Sequence, residues 1–319
     1  MKLIKKISVI FIAALLLISI AGCSAANKEA DNSQIQTKTL NFGAMGSVEA
    51  IPIIIADEKG YFEKQGLDVN IQTFKSAKDR DAAFQSGNLD GIIGDEIAIT
   101  LYQNADFDVK ITGATDGNFT LIANPNSGIK TINEMKSKSI AISEKTVIEY
   151  TLDKILERNT LTPQDVQKSI VPAIPTRLEM LRSNKVDAAV LPEPFATLAI
   201  KDGGIVLGSA IEEGIYTSVT AFTQESIDTK AAEIKAFYKG YNEAVDYVNN
   251  TEISEYEDII IKTVGYPEDM KGKIVLPVFR KNILPAEADL QSVIDWASNS
   301  KLIKKDLKPK DLLSNIGID

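Results

Sequence analysis

SGNLDGIIGDE (Ser86–Glu96) and SNKVDAAVLPE (Ser183–Glu193) stand 97 residues apart and follow one plan. Each passes from a serine through turn-forming residues to an aspartate, crosses a short apolar run, and ends on a glutamate. An apolar run of that length, bounded by turn residues, reads as a strand covered on both faces. The same offset lays Asp68-Val69 on Asp165-Val166 and Arg80 on Arg177 without a gap. Six identities over 29 positions are few, but both stretches read independently as strand, loop, helix, loop and strand. Two similar α/β lobes are therefore expected, each with a glutamate just beyond the carboxyl end of a strand. Open α/β sheets bind ligands at that edge. Two such edges facing each other make a cleft that closes by hinge motion.

Outward from these units the alternation continues. TLNFGA (Thr39–Ala44) reads as a strand, Ile51–Asp57 as a helix stopped by Gly60, LDVNIQTF (Leu67–Phe74) as a strand and Arg80–Gln85 as a helix. A helix near Ile97–Gln103 and the strands DVKITGA (Asp108–Ala114) and FTLIANP (Phe119–Pro125) follow. The second series holds a helix at Ile132–Lys136, the strand KSIAIS (Lys138–Ser143), a helix at Thr146–Arg158, QKSIVPA (Gln167–Ala173) and a helix at Arg177–Ser183. The last third is mostly helical. In Ala231–Val248, residues Ile234, Phe237, Tyr238, Tyr241, Val245 and Val248 fall on one face, as a core-facing helix requires. Lobe 1 is assigned to 39–123 and 216–319 and lobe 2 to 124–215. The hinge crossings are expected near Asn124–Pro125 and Ile215–Ser218.

The 319-residue chain is 44% hydrophobic and 25% charged, a globular composition. It has no histidine and one cysteine. That removes Ser-His-Asp and Cys-His catalysis, His-ligated zinc, thiol-rich metal sites and any disulfide within the chain. Neither metal nor cofactor is expected, and GxxxxGK[ST], GxGxxG and EF-hand patterns are absent. The net charge of −9 argues against nucleic acid and anionic lipid as partners.

Lys2, Lys5 and Lys6 form a basic region before the apolar run Ile7–Ile20, which is shorter than the ~20 residues of a membrane-spanning helix. Ile20-Ala21-Gly22-Cys23 follows and contains the single cysteine. This tetrad resembles the lipobox of bacterial lipoproteins; an ordinary signal peptide with an unrelated cysteine is the other reading. On the lipobox reading, residues 1–22 are a signal peptide, Cys23 carries the lipid, and 23–38 is a flexible polar tether. The protein then sits on the extracytoplasmic face of a bacterial membrane, held by its lipid anchor alone.

KGYFEKQGLDV (Lys59–Val69), SGNLD (Ser86–Asp90) and VDAAVLPEPF (Val186–Phe195) together resemble the solute-binding proteins that serve ABC importers of sulfonates, taurine, nitrate and thiamine-precursor pyrimidines. The likeness runs from about Thr39 into the C-terminal helices. It implies the two-lobed type II periplasmic-binding-protein fold, each lobe a mixed sheet flanked by helices, with the ligand cleft between them. It also implies a small-molecule solute, an ABC permease with a cytoplasmic ATPase as partner, and a monomeric receptor. Each motif has a structural job as well. Gly60 and Gly66 suit positive-φ helix exits, Tyr61 and Phe62 pack under the sheet, and Asp90 and Asp187 fix turns.

Loops after strands supply the candidate ligand contacts: Ser47 and Val48, Ser76, Asp95 and Glu96, Thr115 and Asp116, then Ser143, Glu144 and Thr146, and finally Glu193 and Phe195. Helix-start amides at Ser47, Ser143 and Thr146 could cradle an oxyanion. The acids pull the other way, with Asp95, Glu96, Asp116, Glu144 and Glu193 facing only Lys145 in these loops. Crowded carboxylates repel an anion, whereas amine or amidine donors satisfy them. An aminopyrimidine-like or other amine-bearing solute is therefore favoured, with an alkanesulfonate, taurine or nitrate as the alternative. Arg80 and Arg177 open helices against the dipole and call for a partner. An acidic neighbour is expected for both, an anionic ligand being the other possibility.

Related two-lobed folds resemble pyrimidine-forming and menaquinone-pathway enzymes, so fold alone does not decide between enzyme and binder. The pyrimidine enzymes look histidine-dependent, and this chain has none. A carboxylate pair, Glu96 and Glu193, is the remaining enzymatic alternative. The reading favoured is a non-enzymatic receptor that captures a small polar solute by hinge closure and delivers it to the permease.

Overall fold

The computed structural model describes residues 38–318. The expected signal peptide, Cys23 and the tether up to residue 37 lie outside the described residues. Among the described residues no helix is long and apolar enough to cross a membrane.

The strands are β1 (Lys38–Met45), β2 (Leu67–Phe74), β3 (Gly91–Asp95), β4 (Val109–Ala114), β5 (Phe119–Ala123), β6 (Ser139–Ile142), β7 (Gln167–Ile170), β8 (Ala188–Pro192), β9 (Ile205–Ser209) and β10 (Ser218–Thr223). The helices are α1 (Ile51–Glu58), α2 (Tyr61–Lys64), α3 (Ala77–Gln85), α4 (Glu96–Asn104), α5 (Val147–Arg158), α6 (Ile174–Arg182) and α7 (Phe195–Lys201). After β10 come α8 (Gln224–Thr229), α9 (Ala231–Asn250), α10 (Glu257–Val264), α11 (Glu287–Asn299) and α12 (Pro309–Leu312).

Two five-stranded sheets share one pattern. The first is ordered β2-β1-β3-β10-β4 and the second β7-β6-β8-β5-β9. In each, the first three strands are parallel, and the fourth runs antiparallel to both its neighbours. Every residue of β3 and of β8 is buried, as helices on both faces demand. The repeat seen in the sequence is structural: β2, α3, β3 and α4 match β7, α6, β8 and α7 in order. Its aspartates do the same work in both copies. Asp90 Oδ2 accepts the Asn41 amide at 2.8 Å, and Asp187 Oδ2 accepts the Ser139 amide at 2.9 Å, tying each turn to the neighbouring parallel strand, β1 or β6.

β5 corrects the expected lobe boundary. The expected lobe 1 runs through residue 123, yet β5 is the antiparallel member of the second sheet. The chain therefore crosses between sheets at 115–118 rather than at Asn124–Pro125, and returns over 210–217. The crossings touch. Thr115 N donates to Ser218 O at 2.9 Å, and a Cβ on Gly117 would fall 2.4 Å from Ser218 Oγ, so any larger residue would force that hydroxyl to turn away.

Gly60 and Gly66 have φ of 71° and 70°, ending α1 and α2 in the left-handed region. Phe62 is buried and stacks on Phe237 of α9 at 5.2 Å, and Tyr61 packs half-buried against Tyr247. The apolar face of α9 enters the core of the first sheet with Leu40, Phe42 and Phe222.

Candidate ligand cleft

Loops at the carboxyl ends of β1, β3, β6, β7 and β8 meet between the two sheets and enclose a cavity of about 50 Å³. The structure is closed over it. Ile174 N of the second lobe donates to Lys75 O of the first at 3.1 Å, and Met45 packs with Ile174 and Leu178. Lys201 on α7 pairs with Asp269, in the segment that covers the first sheet.

Local sequence sets most of the polar lining. Asp95 caps α4 by accepting the Ala98 amide at 2.8 Å. Thr146 caps α5, accepting from Ile148 N at 3.2 Å while its hydroxyl donates to Ser143 O at 2.9 Å. Ser47 is buried, and its hydroxyl has no hydrogen-bond partner. Glu49 lines the same wall, and burial raises its pKa against its own amide, the nearby Ser47 hydroxyl and Arg80. Burial likewise raises Asp95, with Arg80 opposing it.

Two arginines reach this cavity, one from the first turn of α3 and one from the first turn of α6. Arg80 is fully engaged. Its Nε and Nη2 donate to Asp81 Oδ1 at 2.9 and 2.7 Å, and its Nη1 donates to Ile93 O at 2.9 Å. Arg177 is not. It is 1% exposed, and its Nε and Nη1 are buried without a hydrogen-bond partner. Burial alone acts on it, pushing the guanidinium down to about 9, so it stays charged at neutral pH. A buried cation without a counter-charge is costly. It is the feature of this cleft that calls for an anion.

The expected acidic neighbour is thus present for Arg80 and absent for Arg177. The repeat explains why: Asp81 follows Arg80, but Leu178, a core residue, follows Arg177. That difference was readable in the sequence and is the signal that singles out Arg177.

The candidate contacts separate into groups. Ser47, Asp95, Ser143 and Thr146 line the cavity. Val48, Asp116 and Glu193 line a neighbouring hollow of about 600 Å³. Glu144 is exposed in an outer groove of about 810 Å³ that shares Ser143 and Thr146 with the cavity. Ser76, Glu96, Thr115 and Phe195 line none of these spaces. Ser76 caps α3 through the Asp79 amide, and Phe195 packs into a small core with Leu191 and Ala199.

The acids therefore do not converge. Asp116 Oδ2 accepts the Arg280 amide at 2.7 Å, and Oδ1 takes the Arg280 Nε. Glu193 Oε2 accepts Thr197 N at 3.1 Å, capping α7. Glu96 is wholly buried, with Asp289 of α11 among its charged neighbours, and neither oxygen is hydrogen-bonded. Of the five acids weighed for an amine ligand, only Asp95 lines the cavity, where Glu49, not among the five, joins it. Among the described residues no group of three or more His, Cys, Asp or Glu side chains converges as metal ligands would.

The sequence profile described as NMT1/THI5 like matches residues 47–253, well over half of the chain. The chain belongs to that family. Among its relatives is a Bacillus subtilis (strain 168) protein named as an aliphatic sulfonates-binding protein, 26% identical over 98% of this chain and 95% of that one. Another, an ABC transporter periplasmic binding protein of Brachyspira hyodysenteriae, is 25% identical over 75% of this chain and 72% of its own. In fold, this NMT1/THI5-like chain is similar to the periplasmic aliphatic sulphonate binding protein SsuA from Escherichia coli. The TM-score is 0.74 at 18% identity, covering 86% of this chain and 92% of that one. It therefore has the periplasmic-binding-protein fold.

Proposed function

We propose that this protein is the solute-binding component of an ABC importer and that its solute presents a small oxyanion head, of sulfonate or nitrate type, to Arg177. The importer role rests on the family and on relatives named for binding and for ABC transport. The anionic head rests on one observation, the buried guanidinium of Arg177 with no partner in the closed cleft. A cavity of about 50 Å³ holds roughly three to five waters at about 10–15 Å³ each, which is the scale of one trigonal or tetrahedral oxyanion. Hydroxyls of Ser47 and Ser143 supply further donors around it.

Closure is a hinge motion at the crossings 115–118 and 210–217, and the closed form is stabilised because the solute touches both lobes. Asp95, Ser47 and Arg80 belong to one side, and Ser143, Thr146 and Arg177 to the other. We further propose that the protein works as a monomer on the extracytoplasmic face, anchored through lipid on Cys23. Binding without chemistry is the reading the relatives support, since they are named for binding and for ABC transport.

A thermal-shift screen tests the solute. The protein is unfolded and refolded to strip any carried-over ligand, then heated with methanesulfonate, nitrate, sulfate, taurine and an aminopyrimidine. A ligand at 100 times its Kd adds about 2.7 kcal/mol, a shift of several degrees. A shift with the oxyanions and none with the aminopyrimidine is expected. The reverse pattern would overturn the oxyanion reading.

A further inference from the structure

We propose that Glu49 is a specificity-determining residue of this cleft: its protonated carboxyl donates a hydrogen bond to the bound oxyanion, so that solute and one proton are held together. This rests on the oxyanion reading above and adds a dependence on pH which that reading does not itself require.

The charges around the cavity carry the inference. Its lining holds four ionisable side chains, Glu49, Arg80 and Asp95 from the first lobe and Arg177 from the second. Arg80 brings Asp81 with it, outside the lining and bound at 2.7 Å. With every group ionised these five charges sum to −1. A monoanion would then enter a space of about 50 Å³ against two carboxylates. Like charges confined at short range in a dry cavity repel strongly. A proton on one of the two acids makes the walls neutral and turns an acceptor into a donor.

The two acids are not equally suited to hold that proton. Asp95 stands at the start of α4, where it accepts the Ala98 amide at 2.8 Å and meets the positive end of the helix. Both favour its carboxylate form. Glu49 is buried in the single turn before α1, with its own amide and the nearby Ser47 hydroxyl around it. Its one cationic neighbour, Arg80, is already held by Asp81 and Ile93 O. Arg177 does not answer it, since burial alone acts on that guanidinium. Burial accordingly holds the Glu49 carboxyl above the usual carboxylate range. Donors then come from both lobes, Glu49 with Ser47 from one and Arg177 with Ser143 from the other. A solute head that has only acceptors fits between them.

The test is titration calorimetry of the full chain with methanesulfonate from pH 5 to 9, in buffers of different ionisation enthalpy so that protons are counted. Methanesulfonate stays fully ionised across that range, so a proton taken up on binding goes to the protein. Affinity is expected to be level at the acid end and to fall up to tenfold per pH unit once Glu49 ionises in the free cleft. Uptake on that limb should approach one proton per ligand. Whatever its affinity at pH 5, Glu49→Gln, whose amide donates but does not titrate, is expected to hold it level to pH 9. A level parent profile without proton uptake would overturn the proposal and leave the oxyanion reading standing, whether or not the variant folds. A fall that persists in Glu49→Gln and disappears in Asp95→Asn would assign the proton to Asp95 and overturn it as well. Failure of the parent to bind methanesulfonate or nitrate at any pH would defeat the oxyanion reading and this one with it.

Discussion

Arg80 and Arg177 occupy equivalent positions in the two halves of an internal repeat and line one cavity, yet only Arg80 has a carboxylate beside it. A near-symmetric pair of lobes has become an asymmetric site through one position, Asp81 in the first copy and Leu178 in the second. Arg80 is locked into the wall it belongs to. Arg177 is left charged and unsatisfied, a state that ligand can relieve.

Replacing Arg177 separates binding from stability. Arg177→Met is expected to weaken oxyanion binding at least 100-fold, in line with loss of a charge-assisted, desolvated contact. The same change deletes an unpaired buried charge, so the ligand-free protein should be more stable by about 1–3 kcal/mol. Calorimetric titration and urea unfolding read the two effects. A destabilised variant would mean that Arg177 serves the fold.

Asp81→Asn frees the other guanidinium. Arg80 would keep its bond to Ile93 O but lose the charge that neutralises it. Oxyanion affinity should rise several-fold while stability falls by about 1–2 kcal/mol. Equal or weaker binding would show that Arg80 does not contribute to the field of the cavity.

Glu96 governs a pH dependence of its own. Burial raises its pKa well above the usual carboxylate value, and Asp289 and Asp95 push the same way. Folding therefore takes up a proton at pH values between the unfolded value, near 4.5, and the raised folded one. The penalty is absent below that pH and grows as pH rises toward the folded pKa. Glu96→Gln removes it, so the variant should gain stability over the parent as pH climbs from 5 to 7. Unfolding midpoints across that range decide the matter, and parallel curves would contradict it.

Cys23→Ser tests the anchor. The variant should fold and bind solute normally but leave the membrane fraction, or remain unprocessed. A mature form that still sediments with membranes would exclude lipid attachment at this residue.

How far the sequence could be read varied with the range of the contact. The strand–helix–strand units and the core face of α9 were legible because their signals are local periodicities. The capping roles of Asp95 and Ser76 were legible as positions but not as roles, since a loop after a strand serves a cap and a ligand equally well. Glu96 misled for a different reason. It stands beside a good site residue, yet it is buried with Asp289 of α11 among its charged neighbours, nearly two hundred residues further along the chain. Asp116 was claimed by Arg280 in the same way. The missing partner of Arg177 was visible in the repeat, as Leu178 opposite Asp81, but only to a comparison that looked for differences instead of identities.

The exchange of antiparallel strands between the sheets fixes the order in which the molecule can be finished. β3 and β4 have both been synthesised by residue 114, but the strand that joins them comes only at 218–223. All five strands of the second sheet have been made by residue 209. The lobe begun first is thus the last to close, and it waits on α9 to cover its core. Until then two unpaired strand edges stay open, the long-range pairing that slows folding and exposes a chain to aggregation. A chain cut short between β9 and β10 would keep the guanidinium of α6 and lose the strand that completes the sheet it faces.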